Sequence, residues 1–287
     1  MKTTSILLVI AFILSVVMVS FAQEDATNEA KKLYNEGLSF LKRRKVDPAI
    51  EKFTAAVAKD PNLATAYYGL GLGYKMKKNY DKAEEMYKKA IEKNDKMIKA
   101  YNALGLLYTR REKYTEALNT YTAALGIDAK NAKAHFGLGL VYIKRKDYTN
   151  AIIEYKKAVE AKPDYSKAWL NLGTSYYHEG KYTEAEEAFN KALQYEKKRT
   201  AKGNIYLHLG NTLSKLGRKD EAIAAYEKCL KTATKSYLKA AANFGLGEIY
   251  RDKGQKQKAM KYFQSASRDR SWKQSALYEI DELKRKN

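Results

Sequence analysis

One cysteine, three histidines and three prolines in 287 residues withhold the material that several classes of protein are built from. A lone Cys229 excludes an intrachain disulfide, so packing by itself must hold the fold. His135, His178 and His208 lack metal-ligand spacing to the cysteine or to carboxylates, so no metal or other cofactor is expected. Acid is also scarce, 33 Asp and Glu against 54 Lys and Arg. Those carboxylates are scattered, with no pair that spacing would force together for general acid–base work, and the chain is not expected to be an enzyme. So few prolines, set against 24 tyrosines and 45% apolar residues, exclude a disordered chain and point to packed helices. The formal charge of +21 favours anionic partners or surfaces without naming one.

What is present begins with residues 1–22, which read as a secretory signal peptide. Lys2 gives a positive start, Ile6 to Val19 is an apolar run interrupted only by Ser15, and Ser20, Phe21 and Ala22 supply small residues for cleavage before Gln23. The competing reading is an uncleaved membrane anchor, since the apolar stretch approaches bilayer-spanning length. Either way the remainder is expected outside the cytoplasm, periplasmic or secreted, and it would keep a charge of +20 after losing Lys2. Gln23 to Glu29 is a polar, acidic lead-in without hydrophobic periodicity and is expected to be loose.

From Ala30 the chain repeats. Aligned glycines fall at Gly37, Gly71, Gly105, Gly139, Gly173, Gly210 and Gly247, at intervals of 34 residues and then, twice, of 37. Twelve residues after each comes Ala49, Ala83, Ala117, Ala151, Ala185, Ala222 or Ala259, and seven further on Ala56, Ala90, Ala124, Ala158, Ala192, Cys229 or Ala266. Each unit divides into two amphipathic helices whose small residues allow close approach while large neighbours fill the volume. Asp47, Asp81, Thr115, Thr149, Thr183 and Asp220 are expected to cap the second helices. The 37-residue intervals are expected to lengthen helices rather than to mark a domain boundary. Trp272, Leu277, Ile280 and Leu283 form one apolar stripe on a final polar helix over residues 272–287.

An aromatic, Leu-Gly, Tyr, then Ala, aromatic and Ala, as at Trp169, Leu172, Gly173, Tyr176, Ala185, Phe189 and Ala192, resembles the tetratricopeptide repeat. The resemblance spans residues 30–271 as seven repeats, starting near 30, 64, 98, 132, 166, 203 and 240. It implies an all-α fold, an α-solenoid wound as a right-handed superhelix of helix pairs with a C-terminal capping helix. It also implies a non-catalytic scaffold that binds a peptide or protein segment in a groove lined by the first helices. The groove positions so implied are Lys31, Tyr34, Leu38, Thr65, Tyr68, Leu72, Lys75, Lys99, Asn102, Leu106, Lys133, Phe136, Leu140, Ile143, Lys167, Leu170 and Tyr177. Aromatic and aliphatic residues flanked by lysines suit a segment with an apolar anchor and acidic groups. A chaperone-tail clamp of the kind some members carry is not supported, because Tyr34, Tyr68, Phe136, Leu38, Leu72 and Leu140 stand where its lysine and asparagine belong.

A second candidate surface is the basic edge, Lys42, Arg43, Arg44, Lys45, Lys77, Lys78, Arg110, Arg111, Lys113, Lys144, Arg145 and Lys146, which recurs in the turns between paired helices. Cations there offset the helix macrodipole and keep the surface soluble. They could also hold an anionic envelope polymer or an acidic lipid surface. Nucleic acid fits the charge but not an exported chain.

Overall fold

The structure is a computed structural model that describes residues 23–285. The signal segment expected at 1–22 lies outside those residues, and so does the last turn of the expected cap, residues 286–287. Every regular element among the described residues is an α-helix. The chain forms two compact units, one ending at Ala129 and one beginning at Lys130.

In the first unit α1 (residues 23–42) pairs with α2 (Val46–Lys59), α3 (Ala64–Met76) with α4 (Tyr80–Lys93), and α5 (Ile98–Arg110) with α6 (Tyr114–Ile127). In the second, α7 (Ala132–Lys144) pairs with α8 (Tyr148–Ala161), α9 (Ser166–His178) with α10 (Tyr182–Tyr195), α11 (Arg199–Lys215) with α12 (Lys219–Thr232), and α13 (Ser236–Asp252) with α14 (Lys256–Ala266). A last helix, α15 (Lys273–Arg285), closes that unit. The lead-in expected to be loose is instead the start of α1. Its polar side chains are held from the end of α2 and the residue after it, Glu29 by Lys59 at 2.8 Å and Thr27 donating to Asp60 at 3.3 Å.

One joint explains why each pair closes. The ring sixteen residues after each aligned glycine packs directly against it: Phe53 on Gly37, Tyr87 on Gly71, Tyr121 on Gly105, Tyr155 on Gly139, Phe189 on Gly173, Tyr226 on Gly210 and Phe263 on Gly247. A methyl carbon at Gly139 would sit 2.5 Å from Tyr155 Cε1, so the ring occupies the space any other side chain would need. All fourteen aligned alanine and cysteine positions are completely buried. Cys229 is a small apolar filler among them, and burial pushes its thiol up to about 11, away from nucleophilic use.

The turn after each first helix takes a left-handed residue, Arg44, Lys78, Glu112 or Lys146 in the first four pairs and Gly180, Gly217 or Gly254 in the last three. The following amide then reaches back five residues, as Lys45 to the Phe40 carbonyl at 2.9 Å and Lys181 to Tyr176 at 2.9 Å. The expected caps are displaced. Second helices begin two residues earlier than the spacing suggested, so Asn79 and Asp147 cap α4 and α8 by accepting from the Lys82 and Asn150 amides. Asp47, Asp81, Thr115, Thr149, Thr183 and Asp220 sit inside the first turn. Several instead bond to the turn of the next pair: Asp47 to Lys77 at 2.6 Å, Asp81 to Arg111 at 2.8 Å, Thr149 to Glu179 at 3.2 Å, and Asp220 to Lys253.

The added residues of the last two repeats lengthen α11 and α13 to 17 residues, against 13 for α3, α5, α7 and α9. Both extensions reach the end of the partner helix, Arg199 donating to the Lys231 carbonyl and Ser236 to Asp269. On α15 the buried stripe is Ala276, Ile280 and Leu283, while Leu277 is 43% exposed. The expected stripe is therefore corrected at that position, because Ala276 lies on the inward face and the ring of Trp272, just before the helix, covers Phe244 at 4.9 Å.

Candidate functional site

On α3 the residues Thr65, Tyr68, Leu72 and Lys75 are spaced three, four and three apart, which places them on one face of the helix. Ala66, Leu70 and Gly73 on other faces are buried. The same spacing presents Lys31, Tyr34 and Leu38 on α1, and Lys99, Asn102 and Leu106 on α5. The first unit brings these faces together. Burial raises the hydroxyl pKa of Tyr34 and of Tyr68, and Tyr34 also feels Tyr68. Tyr34 leans on Phe53 at 5.7 Å between ring centres and Tyr68 on Tyr87 at 5.9 Å, so both rings are braced from beneath while one side stays open. Lys31 and Lys99 are exposed, Thr65, Leu72, Asn102 and Leu38 half-buried, and Leu106 is 41% exposed. Lys75 is half-buried, and that burial together with the neighbouring Arg110 charge lowers its pKa.

In the second unit the expected positions behave less uniformly. Lys133 and Lys167 are exposed, and Leu140, Ile143, Leu170 and Tyr177 half-buried. Phe136 is wedged between Tyr155 at 5.7 Å and Tyr165 at 5.0 Å, so it belongs as much to the packing as to any surface. Tyr177 meets His178 and Tyr182 edge-on.

Three features escaped the sequence reading. The recurring face continues on α11 and α13, where Asn211 accepts from Tyr226 Oη at 2.8 Å and burial raises the pKa of Glu248. The spacing that selects Tyr68 and Leu72 could have found them. His135 was expected to pack, and it does, but its Nδ1 lies 2.7 Å from a buried Glu154 that also accepts from Lys157 at 2.8 Å. His208 stacks on Phe189 at 5.5 Å, where Gly69 and Gly245 lie against the preceding ring in other repeats. Burial, and then the His178 charge, lowers its pKa to about 4.

The basic edge is divided. Lys77 pairs with Asp47, Arg111 with Asp81 and Glu84, and Lys113 with Glu84, all acids of the preceding pair. Lys42, Arg43, Arg44, Lys45, Lys78 and Arg110 in the first unit, and Lys144 and Lys146 in the second, have no ion-pair partner among the described residues, while the Arg145 charge helps to hold the Asp147 pKa down.

Tetratricopeptide repeat family profiles match residues 34–98, 164–235 and 203–270, together more than half of the chain. The C-terminal ARM domain of tetratricopeptide repeat protein 21 matches residues 74–168. No curated protein matches in sequence. Among solved structures, a tetratricopeptide repeat protein from Parabacteroides merdae is 21% identical over 89% of this chain and 99% of its own, with a TM-score of 0.59. The C-terminal part of a TPR repeat-containing protein from Cytophaga hutchinsonii is 19% identical over 86% and 99%, with a TM-score of 0.66. The Cut9–Hcn1 hetero-tetramer is similar at 18% identity over 80% of this chain and 46% of that one, with a TM-score of 0.64.

Proposed function

Because the chain belongs to the tetratricopeptide repeat family, whose fold serves as a scaffold for protein–protein interaction and typically carries no catalysis, we propose that it acts outside the cytoplasm and holds a protein segment against its first helices. The observation that carries this reading is the recurring half-open face of α1, α3 and α5. Rings at Tyr34 and Tyr68, braced by Phe53 and Tyr87, stand beside Leu38, Leu72 and Leu106, with lysines at the margin. Preorganised aromatics that keep one side open are the anchors from which interfaces draw most of their energy. Placement outside the cytoplasm rests on the sequence of residues 1–22. Assembly into a hetero-tetramer, as for Cut9, is the kind of role a scaffold of this sort takes up.

Affinity capture from a cell-envelope extract, with residues 23–287 as bait and a high-salt wash, tests the reading. A protein retained in proportion to the bait, and lost with Tyr68→Ala while the helical spectrum persists, is the expected result. Retention indifferent to Tyr68 would remove this face from the interface. A second reading has its own support, since the edge cations at Lys42 to Lys45, Lys144 and Lys146 have no acid paired to them among the described residues. Binding to anionic envelope polymer or lipid through that edge would vanish in the same wash.

A further inference from the structure

The cations on the recurring face of the first unit stand at the two ends of its first helices, with aromatic and aliphatic residues between them. Several acids of that unit are taken up away from this face: Glu36 by Lys52, Asp47 by Lys77, Glu84 by Lys88, Arg111 and Lys113, and Glu85 by Lys89. Lys31, Lys42, Lys75, Lys99 and Arg110 have no acid paired to them among the described residues, and no acid stands at the positions between them on this face. Lys75 is half-buried, and that burial, with the Arg110 charge near it, disfavours its charged form.

Helix stability explains only part of the pattern. Lys42, Lys75 and Arg110 stand in last turns, where a cation complements the macrodipole. Lys99 is the second residue of α5, where a cation opposes it, and Lys133 and Lys167 repeat that placement on α7 and α9. Lys99 is therefore stabilised neither by its own helix nor by an acid of the chain, and its charge faces solvent.

The two rims have a definite separation. From Lys99 to Arg110 is eleven residues of one helix, about 16 Å of rise, with Asn102 and Leu106 between them. Lys31 and Lys42 bracket Tyr34 and Leu38 by the same eleven residues on α1. An α-helix with its side chains is about 10–12 Å across, so acidic side chains on its two flanks reach both rims while an apolar stripe rests on the tyrosines and leucines. An extended strand is too narrow to meet both rims at once.

We propose that the first unit receives an amphipathic helix of a partner protein, laid across α1, α3 and α5, with an apolar stripe on Tyr34, Tyr68 and Leu72 and acidic flanks against Lys99 on one rim and Lys75 and Arg110 on the other. This deepens the scaffold reading above and rests on it.

The test uses three fluorescein-labelled synthetic peptides of about 16 residues, long enough to cross three helices at about 8–10 Å spacing. One carries a leucine and phenylalanine stripe with glutamates on both flanks, the second has those glutamates replaced by glutamine, and the third has a central proline. Anisotropy against the chain from residue 23 onward should show the first binding at least about tenfold more tightly than the other two. The triple variant Lys75→Met, Lys99→Gln, Arg110→Gln should lose about that factor, and Tyr68→Ala should weaken binding independently of salt. Lys99→Gln alone should leave the melting temperature unchanged or raised, which separates lost binding from lost folding. If Tyr68→Ala weakens binding but the glutamine peptide and the triple variant bind as well as their parents, the acidic-helix assignment is overturned and the scaffold face stands. Equal binding of the proline peptide overturns the helical form of the occupant. No binding, or binding that neither Tyr68 nor the charges affect, removes both readings. Polyphosphate held as tightly as the peptide and indifferent to Tyr68 would give the face to a polyanion and overturn the proposal.

Discussion

The turn that closes a first helix is built in two ways within one chain. After α1, α3, α5 and α7 it puts Arg44, Lys78, Glu112 and Lys146 into left-handed backbone, while after α9, α11 and α13 it uses Gly180, Gly217 and Gly254. The back-bonds that close the turn are the same in both. A residue with a β-carbon gives up about 1–2 kcal/mol in that conformation, so four turns accept a strain that three avoid. The faces of the first helices divide similarly. Those of α1, α3 and α5 display unpaired cations, whereas α11 and α13 place Asn211 on Tyr226, and Glu248 near Arg251. On this face the earlier repeats present cations with no acid paired to them, and the later ones carry Asn211 and a partly buried Glu248 instead.

What the two regions share should matter most to stability. Gly139→Val drives a side chain into the Tyr155 ring and should cost more than about 3 kcal/mol in urea unfolding followed by circular dichroism, with Gly247→Val against Phe263 costing a similar amount. A large difference between the two would mean that the joint is not equivalent along the chain.

Next in size comes a feature confined to the later repeats. His208 is kept neutral in the fold, at about 4, by burial against Phe189, whereas the unfolded chain takes up its proton near 6.5. Falling pH therefore favours unfolding: the contribution is complete above about 6.5 and is lost between there and about 4, amounting to roughly 1–3 kcal/mol. His208→Leu should flatten stability against pH over that window, and an unaltered slope would assign the pH dependence elsewhere.

The turns can be exchanged directly. Gly217→Ala should destabilise by about 1 kcal/mol, and Lys78→Gly should stabilise by about 0.5 kcal/mol, in paired thermal melts. Smallest of all, Asp81→Asn removes an exposed ion pair to Arg111, which keeps Glu84, and should change stability by less than about 0.5 kcal/mol.

Legibility followed the same division. The glycine, alanine and ring positions could be read because close packing forbids alternatives: Gly139 and Tyr155 must face each other wherever the helices touch. The caps could not. Asp47 and Asp81 are good capping residues by type, yet the left-handed turn at Arg44 or Lys78 starts the next helix two residues earlier and leaves them inside it. Leu277 and Ala276 exchange roles because a single residue rotates a side chain by 100° around a helix, and spacing alone did not fix which face met Phe244 and Phe263.

The sequence by itself determined the repeat, the helix pairs and the buried joint, because these depend on residues within one repeat whose size leaves a single way to pack. Only the tertiary structure decided which charges are spent and which remain. Asp47 meets Lys77 and Asp81 meets Arg111 across thirty residues, a distance closed only when one pair stacks on the next. That stacking pairs Asp47, Asp81 and Glu84 with cations of the edge and leaves Lys75, Lys99 and Arg110 without an acid, because a carboxylate pairs with the cation that folding brings within reach.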